Sequence, residues 1–316
     1  MQQQEKRDGS MNYYNSMQDL IGKTPLVRLR NMTAGLSSEI YAKLELYNPA
    51  GSVKDRVGKY MVEDAKKRGI LKPGSTIVEA TAGNTGIGIA FAALNQGFHI
   101  ILVVPEKFSE EKQQLMQALG AQLVHTRRED GMQGAILKAK ELREQIPGAV
   151  SLEQFKNPVN PLAHYETTGP EIYEGLDGQI DYVVLGAGSG GTFSGILRYL
   201  KEKNPQIKGV LADPIGSTIG GGKHSDYAIE GIGNDFIADT MDMKLVDEVI
   251  KVSDTEAFAA SRELAGKEGI FAGSSSGAAL AAALQIAAKQ VGKHIVTVFP
   301  DRGDRYFSQG LYQEEK

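Results

Sequence analysis

The stretch Thr76-Ile77-Val78-Glu79-Ala80 runs directly into the turn Thr81-Ala82-Gly83-Asn84-Thr85-Gly86, and a helical run, Ile87–Asn95, follows. A short β-branched apolar run predicts a buried strand, and the glycines of the turn permit the backbone to change direction. The stretch therefore predicts a strand–turn–helix unit. Because ligands of open parallel sheets bind beyond the carboxyl ends of the strands, a ligand site is expected at this polar turn.

Similar apolar runs recur and alternate with segments of helical spacing, such as Ser109–Leu119 and Gly131–Gln145. The runs are nearly all-apolar, which is typical of parallel strands covered on both faces. This alternation predicts an α/β fold with doubly wound, mostly parallel sheets. Besides Thr76–Ala80, the predicted strands are Ile40–Leu46, His99–Pro105, Ala121–Thr126, Asp181–Gly186, Lys208–Ala212, Glu248–Ser253 and His294–Pro300.

A long segment, Asp213–Lys244, interrupts the alternation because it is rich in glycine and polar residues and has no clean period. A loop of this length in a compact α/β protein is usually functional. We therefore expect it to form a mobile lid over a ligand site.

The composition restricts the chemistry that the chain can perform. Its 316 residues are 41% hydrophobic and 23% charged, and 35 basic against 39 acidic side chains give a net charge of −4. This balance argues against binding to nucleic acid or to an anionic membrane. The absence of cysteine excludes disulfides, thiolate nucleophiles and Cys-based metal sites. No metal site is predicted, since the five histidines are scattered: His99, His125, His164, His224 and His294.

The N-terminal residues and the lengths of the apolar runs bear on location. The first ten residues, MQQQEKRDGS, are polar and do not form the apolar core of a secretory signal. No apolar run approaches the roughly 20 residues that span a bilayer. We expect a cytoplasmic protein in which residues 1–18 are a disordered or expression-derived lead-in.

Lys54 lies in the turn Asn48-Pro49-Ala50-Gly51-Ser52-Val53-Lys54-Asp55-Arg56. Ser52 and Asp55 form a capping pattern, which predicts that a helix begins at Ser52. Lys54 would then lie in the first turn, where the helix dipole and Arg56 both disfavour its ammonium form. A lysine with a lowered pKa can form a Schiff base with a carbonyl compound. The alternative is a solvated lysine near a helix cap.

Three further turns carry polar groups that suit a ligand. The turn Thr81–Gly86 suits a carboxylate or a phosphate, unless it is an ordinary turn with a Thr or Asn cap. The turn Gly186-Ala187-Gly188-Ser189-Gly190-Gly191-Thr192 matches G-x-G-x-x-G, and its hydroxyls favour a terminal phosphate. Together with Asp213 after the next predicted strand, it also fits a dinucleotide site. The serines of Gly273-Ser274-Ser275-Ser276-Gly277 are either helix caps or partners for a ring nitrogen.

Together, the four turns favour one ligand, a phosphorylated carbonyl compound that bonds to a lysine. Pyridoxal 5′-phosphate has both groups, and its ring accepts electrons during catalysis. An NAD-dependent dehydrogenase that binds its cofactor at Gly186–Gly191 is the alternative from another class of protein.

The order and spacing of these motifs resemble the fold-type II pyridoxal-phosphate enzymes, and within them the cysteine synthase/cystathionine β-synthase group. The resemblance extends from about Asp19 to Tyr306. Its motifs are Gly22-Lys23-Thr24-Pro25-Leu26, Asn48–Arg56, Thr81–Gly86, Gln154-Phe155-Lys156-Asn157-Pro158, Thr167-Thr168-Gly169-Pro170-Glu171, Gly188–Thr192, Gly231-Ile232-Gly233 and Ser275-Ser276-Gly277.

The resemblance implies a role for each site residue. Lys54 would bind the cofactor covalently and act as the base for the α-proton. The other cofactor contacts would be Asn84 at the ring oxygen, Ser275 at the ring nitrogen, and Gly188, Ser189, Gly190, Gly191 and Thr192 at the phosphate. The substrate would be held by Thr81, Gly83, Thr85, Gln154 and Gly231.

The implied reaction is a β-replacement, in which a thiol displaces the β-substituent of an amino acid. Ala82 stands where cysteine synthases usually have serine, and Asp213–Ser217 and Tyr227–Ile237 look more like cystathionine β-synthases. We therefore expect O-acetylserine, or serine, and homocysteine as substrates, with sulfide as a second nucleophile. The alternatives are a cysteine synthase that uses sulfide and a catalytically silent relative that binds a partner.

The resemblance also implies two α/β lobes, similar to tryptophan synthase β, with the cofactor in the cleft between them. The smaller lobe would contain residues 49–157, and the larger lobe residues 19–48 and 158–316. No C-terminal regulatory module is expected, because the chain ends soon after the catalytic core. A homodimer that acts on small-molecule substrates is expected.

Overall fold

Strands and helices alternate along most of the chain, as the sequence predicts. A computed structural model describes residues 13–81, 83–106 and 109–313. The strands are β1 (Leu26–Arg28), β2 (Glu39–Leu44), β3 (Thr76–Ala80), β4 (His99–Pro105), β5 (Gln122–Thr126), β6 (Tyr182–Leu185), β7 (Lys208–Pro214), β8 (Glu248–Val252) and β9 (His294–Phe299). The helices are α1 (Lys54–Lys67), α2 (Asn84–Ala93), α3 (Glu110–Ala118), α4 (Gly131–Gln145), α5 (Val159–Ala163), α6 (Gly169–Gly175), α7 (Gly191–Lys203), α8 (Asp254–Glu268) and α9 (Ser274–Lys289). Short 3-10 or π turns lie at Met17–Leu20, Glu45–Tyr47, Arg128–Asp130, His164–Thr168, Met243–Leu245 and Gly303–Gln309.

The strands form two sheets that are mostly parallel. The larger sheet has the order β1-β2-β9-β6-β7-β8, in which β1 runs antiparallel to β2 and the other neighbours are parallel. The smaller sheet, β3-β4-β5, is parallel throughout. The prediction of an α/β fold with mostly parallel sheets is confirmed. The sequence prediction missed β1, because three residues are too few to show a pattern.

Each sheet is covered by apolar side chains on both faces. In β6, Val184 belongs to a core that includes Leu280 of α9, whereas Val183 belongs to a second core that includes Leu197 of α7. The smaller sheet has two cores as well, one built around α1 and α2 and the other against α4. Successive residues of a strand point to opposite faces, so strands buried on both sides need nearly all-apolar sequences.

The two sheets use different parts of the chain. The strands of the smaller sheet lie between residues 76 and 126, and those of the larger sheet come from before and after this stretch. The lobe boundaries stay a prediction. Residues 1–12 of the expected lead-in lie outside the described residues, whereas Gln18 Nε2 donates to the Phe91 carbonyl oxygen at 2.8 Å. Among the described helices, none is long and apolar enough to cross a membrane.

Helices α1 and α2 approach each other backbone to backbone at two glycines. A Cβ atom on Gly58 would lie 2.3 Å from the carbonyl oxygen of Gly88, and one on Gly88 would lie 2.3 Å from that of Lys54. Side chains do not fit at such distances, so the packing requires glycine at both positions. The contact holds the first turn of α1, which carries Lys54, against α2, which begins at Asn84.

A buried ion network anchors the same turn of α1 to the larger sheet. Arg56 Nε lies 2.8 Å from Glu45 Oε2, and Arg56 Nη1 lies 2.7 Å from Glu171 Oε1 of α6. Lys43 Nζ of β2 lies 2.7 Å from Glu171 Oε2. Burial by itself would raise the pKa of Glu45, but the charge and hydrogen bonds of Arg56 lower it to about 2. Glu45 is therefore ionised at neutral pH and holds Arg56 in place.

The prediction that α1 begins at Ser52 is wrong by two residues, since the helix begins at Lys54. The reason is that Ser52 pairs with Asp301 in an isolated antiparallel bridge, which requires extended backbone. Ser52 still acts as a cap, because its Oγ accepts a hydrogen bond from the Lys54 N–H at 3.2 Å. The predicted strand Ile40–Leu46 likewise ends early, at Leu44, because a 3-10 turn begins at Glu45.

The substitution Gly58→Ala tests the contact between α1 and α2. We expect the added methyl group to push the two helices apart and to lower the free energy of unfolding by about 1–3 kcal/mol, the usual cost of overpacking. Chemical denaturation followed by circular dichroism measures this change.

Gly266→Ala is the matched control, because Gly266 lies within α8 and its Cβ would meet no described atom within 4 Å outside its own helix backbone. This substitution should stabilise the protein by up to about 1 kcal/mol, since alanine has the higher helix propensity. Equal effects of the two substitutions would contradict the steric account.

Candidate active site

Lys54 is held against the carboxyl end of β9. The backbone N–H of Val53 donates to the carbonyl oxygen of Pro300 at 2.7 Å, next to the bridge between Ser52 and Asp301. These bonds attach the start of α1 to the chain that leaves β9. Since β9 is paired with β2 and β6, Lys54 lies at the centre of the larger sheet's carboxyl edge.

Burial lowers the pKa of Lys54 to about 8, and the nearby carboxylate of Asp301 opposes part of this effect. A neutral, nucleophilic amine is therefore readily available near neutral pH. The prediction of a lowered pKa is confirmed, but its predicted cause was wrong in part. The guanidinium of Arg56 is engaged by Glu45 and Glu171, so desolvation is what disfavours the ammonium form.

Asn84 lies in a polar cluster around Asp301. Its Nδ2 donates to Asp301 Oδ2 at 2.6 Å, and its Oδ1 accepts from Arg305 Nη1 at 2.6 Å. The hydroxyl of Tyr306 donates to the same oxygen of Asp301 at 2.6 Å. Asp301 therefore connects Asn84 with the surroundings of Lys54. Asp301 lies in the stretch Phe299-Pro300-Asp301, which also looks like the cystathionine β-synthases, but no site role was predicted for Asp301, Arg305 or Tyr306. Their contacts with Asn84 join positions more than 200 residues apart, which no local pattern records.

The turn Thr81–Gly86 brings together predicted substrate contacts from two parts of the chain. Thr81 Oγ1 accepts hydrogen bonds from two N–H groups of the same turn, at 3.1 and 3.3 Å. Thr85 Oγ1 donates to Gln154 Oε1 at 2.7 Å. Thr81, Thr85 and Gln154 are all buried, so a bound carboxylate here would be removed from water. Ala82, which bore on the choice of substrate, lies outside the described residues.

The glycine-rich turn leads into the N-terminus of α7, which begins at Gly191. The preceding Gly190 adopts a left-handed backbone with φ of 80°, and no side chain of the described residues caps the helix. Ser189 Oγ accepts a hydrogen bond from Asn160 Nδ2 at 3.0 Å, which fixes the turn to α5. The first N–H groups of α7 are thus left for an anion, as predicted for a phosphate.

His164 connects the glycine-rich turn with Lys54. Its Nε2 lies 3.2 Å from Thr192 Oγ1, and its Nδ1 lies 2.9 Å from Thr168 Oγ1. Burial, together with the charges of Lys54 and Arg56, lowers the pKa of His164 to about 3. The ring is therefore neutral at physiological pH, so it contacts Thr192 without adding a second positive charge near Lys54.

Three predicted positions from distant parts of the chain, Gly188, Gly231 and Ser275, lie close together at the glycine-rich turn. A Cβ atom on Gly188 would lie 2.7 Å from the carbonyl oxygen of Gly231, and one on Gly231 would lie 3.7 Å from Ser275 Oγ. Ser275 is 2% exposed and lies in the first turn of α9, which no side chain of the described residues caps. A buried hydroxyl therefore faces the region between the glycine-rich turn and Gly231.

Lys112 and Glu230 form a buried ion pair that the sequence reasoning missed. Lys112 Nζ lies 2.6 Å from Glu230 Oε2, and the two side chains are 3% and 12% exposed. A Cβ atom on Gly83 would lie 2.8 Å from Lys112 Cδ, and Glu230 directly precedes Gly231. The pair thus joins two predicted substrate-binding positions. A lone lysine on a helix and a lone glutamate in a loop carry no signal in sequence.

The long segment expected to form a lid lies along the site. Residues 215–242 contain no helix or strand, and all of them are described. The Gly233 N–H donates to the Ala187 carbonyl oxygen at 2.8 Å, and the Thr218 N–H donates to that of Asn234 at 2.9 Å. The segment is therefore packed onto the glycine-rich turn and supplies Gly231. Its mobility stays a prediction.

Asp213 does not occupy the position that a dinucleotide requires. Its carboxylate is fully buried, lies 2.5 Å from Lys251 Nζ and accepts a hydrogen bond from the Gly220 N–H at 2.9 Å. Both contacts use Oδ2, and the other oxygen, Oδ1, is buried without a hydrogen-bond partner among the described residues, so neither oxygen is open to a ribose hydroxyl. The G-x-G-x-x-G pattern thus lacks its acidic partner.

The converging groups fit pyridoxal 5′-phosphate. The uncapped N-terminus of α7, with the hydroxyls of Ser189 and Thr192, suits the phosphate. The amine of Lys54, with its lowered pKa, suits the aldehyde, and the buried hydroxyl of Ser275 suits the ring nitrogen. The chain therefore provides partners for the phosphate, the aldehyde and the ring nitrogen of this cofactor.

Comparison with known proteins also indicates pyridoxal 5′-phosphate as the cofactor. Residues 17–301 match the family described as pyridoxal-phosphate dependent enzyme. The chain is 52% identical to the O-acetylserine dependent cystathionine beta-synthase of Bacillus subtilis, over 96% of this chain and 99% of that protein. It is 47% identical to a cysteine synthase of Helicobacter pylori, over 94% and 98% of the two chains. The crystal structure of O-acetylserine dependent cystathionine beta-synthase from Helicobacter pylori superposes with a TM-score of 0.92, at 46% identity and over 96% and 100% of the chains.

The fold and the site define a pyridoxal-phosphate enzyme, and the chain belongs to the pyridoxal-phosphate-dependent enzyme family. Its relatives identify the subgroup as the cysteine synthases and cystathionine β-synthases. The predicted cofactor is thus confirmed, and the alternative of an NAD-dependent dehydrogenase is wrong. The roles of the individual site residues and the homodimer stay predictions.

The lowered pKa of Lys54 predicts how fast the cofactor-free protein takes up pyridoxal 5′-phosphate. The rate should rise with pH around a midpoint of about 8, because only the neutral amine attacks the aldehyde. Stopped-flow absorbance measures this rate at each pH, as the change in absorbance when the cofactor reacts with the amine. Lys54→Ala has no amine at this position and should not show that change. A midpoint near the ordinary lysine value would contradict the desolvated position of the amine.

Proposed function

We propose that this chain catalyses a β-replacement that joins O-acetylserine, or serine, to homocysteine and yields cystathionine, with a side activity toward sulfide that yields cysteine. The observation that carries this proposal is the desolvated Lys54 amine. Its charge acts on His164, which contacts Thr192 in the uncapped first turn of α7. Asp301, which pairs with Ser52, also accepts a hydrogen bond from the Gly273 N–H at the start of the helix that carries Ser275. The names of the Bacillus subtilis relative and of the Helicobacter pylori structure favour O-acetylserine and homocysteine as substrates.

The proposed contacts with the cofactor follow the geometry of the site. Lys54 binds the cofactor aldehyde, and Asn84 lies at the ring oxygen. The turn Gly188–Thr192 binds the phosphate through backbone N–H groups and hydroxyls, and Ser275 lies at the ring nitrogen. When bound, the cofactor supplies an aldehyde that captures the substrate amine and a ring that accepts electrons.

The amino-acid substrate is proposed to bind through its carboxylate at Thr81, Gly83, Thr85 and Gln154. Hydroxyl, amide and backbone N–H groups at these positions can donate to a carboxylate in a buried site, where such bonds are strong. The bound carboxylate orients the α-carbon toward Lys54. Gly231, on the other side of the cleft, borders the space for the incoming thiol.

Lys54 is proposed to move the α-proton. Its Nζ removes the proton from the α-carbon, the Cβ–O bond breaks with release of acetate, and the thiol sulfur forms the new Cβ–S bond with loss of its proton. Lys54 then returns a proton to the α-carbon. A general base works best when its pKa lies near the working pH, and the pKa of about 8 for Lys54 meets this condition.

A cysteine synthase that uses sulfide as its main nucleophile is the second candidate function. The observation in its favour is the Helicobacter pylori relative of that name, which is 47% identical to this chain. The two functions share the residues around Lys54 and differ in the thiol that enters the cleft.

A side-by-side assay of O-acetylserine with homocysteine and with sulfide tests the proposal. We expect cystathionine from homocysteine at a higher kcat/KM than cysteine from sulfide, both detected by mass spectrometry. Lys54→Ala should abolish both products and the visible absorbance of the bound cofactor. A wild-type enzyme that forms cysteine but no cystathionine would instead support the second candidate.

Ser275→Asp tests the proposed partner of the ring nitrogen. A carboxylate there would keep the nitrogen protonated, so that the ring retains the electron pair that elimination must release. We expect a loss of at least about tenfold in kcat for β-replacement, which corresponds to about 1.4 kcal/mol of barrier. Ser275→Ala, which introduces no charge, is the control and should lose less activity. Full activity of Ser275→Asp would contradict the assigned position.

A further inference from the structure

The ion pair between Lys112 and Glu230 lies next to two predicted substrate-binding positions, Gly83 and Gly231. Lys112 belongs to α3, which follows a strand of the smaller sheet, whereas Glu230 belongs to the long segment that follows β7 of the larger sheet. The Nζ–Oε2 distance is 2.6 Å. The pair is therefore formed by two parts of the chain that are 118 positions apart.

Both charges are supported by further contacts at the same place. Lys112 Nζ lies 4.1 Å from the centre of the Tyr306 ring, and Gln309 Nε2 donates to the other carboxylate oxygen of Glu230. The aromatic face stabilises a cation, and the amide orients the carboxylate. An ammonium and a carboxylate are thus held in fixed positions next to each other.

Stability alone is a weak reason for this arrangement. Removing two charges from water costs several kcal/mol, and a buried ion pair often stabilises a fold no more than apolar residues of similar size. Lys112 is 3% exposed and Glu230 only 12% exposed, so both side chains lose much of their hydration. Such a pair next to a predicted substrate site suggests a ligand with a carboxylate that can pair with Lys112 and an ammonium group that can pair with Glu230.

A free amino acid carries these two charges. Homocysteine, the proposed thiol substrate, has a carboxylate and an ammonium group at the end remote from its sulfur, whereas sulfide has neither. The carboxylate of the first amino acid is assigned to the turn Thr81–Gly86 and to Gln154. Lys112 and Glu230 remain for the second amino acid.

We propose that Lys112 and Glu230 recognise the two charged groups of the thiol substrate and so determine specificity for homocysteine over sulfide, an inference that rests on the proposed function. Lys112 Nζ binds the substrate carboxylate, and the Glu230 carboxylate binds the substrate ammonium. The internal ion pair opens as the substrate enters, so one charged contact is replaced by two and no charge is left unpaired.

Lys112→Gln and Glu230→Gln test this inference, because each removes one charge and keeps a polar side chain of similar size. For either variant the ratio of kcat/KM for homocysteine to kcat/KM for sulfide should fall at least about tenfold, as expected when one charge-assisted contact is lost. Lys112→Arg, which keeps the positive charge, should retain most of the ratio.

Two thiols that lack one charged group assign each residue to its partner. 4-Mercaptobutyrate has the carboxylate but no ammonium, and 3-aminopropanethiol has the ammonium but no carboxylate. Relative to sulfide, Lys112→Gln should impair 4-mercaptobutyrate and spare 3-aminopropanethiol. Glu230→Gln should show the opposite pattern.

Lys138→Gln is the matched control, because Lys138 pairs with Glu141 at 2.8 Å on the exposed surface of α4. It should leave the activity with every thiol unchanged. Absorbance of the bound cofactor and the thermal unfolding midpoint establish that each variant is folded. If Lys112→Gln does not fold, the opposite response of Glu230→Gln to the two analogues decides the question.

Parallel losses with homocysteine and with sulfide would overturn the inference, because they would indicate that the ion pair only holds the cleft together. The inference would also be overturned if each variant lost the same activity with 4-mercaptobutyrate as with 3-aminopropanethiol, relative to sulfide. Failure of the proposed function is distinguishable, since the wild-type enzyme would then form no cystathionine at all.

Discussion

The contact between the backbones of α1 and α2 is the constraint on which the rest of the site depends. Gly58 and Gly88 let the two helices touch, so the first turn of α1 lies against the helix that begins at Asn84. The buried network around Arg56 fixes the same turn to β2 and α6. Lys54 is therefore held beside the chain that leaves β9, at the carboxyl edge of the larger sheet.

The site works through groups whose charges are removed from water. Desolvation makes Lys54 a weaker base than an exposed lysine, and burial with nearby positive charge keeps His164 neutral. Lys112 and Glu230 are charged groups that compensate each other. Since burying an unpaired charge is costly, each of these groups needs the folded surroundings described here to hold it in a useful state.

Much of the site could be predicted from sequence because it lies in turns directly after strands. Thr81–Gly86 follows β3, and the glycine-rich turn follows β6, as the apolar runs before them indicate. Residues whose importance arises from distant partners could not be predicted in this way. Asp301 contacts Asn84 across 217 positions, and Lys112 meets Glu230 across 118. No local periodicity records such contacts.

The amino-acid sequence by itself determined the α/β class, the mostly parallel sheets and the cofactor, and it predicted the turns that are proposed to contact the cofactor. These features depend on short-range patterns of apolar, glycine and hydroxyl residues. Only the tertiary structure decided where α1 begins, why the pKa of Lys54 is lowered and which charges border the cleft. Each of these depends on what packs against a residue, since desolvation and ion pairing arise from neighbours that the folded chain brings into contact.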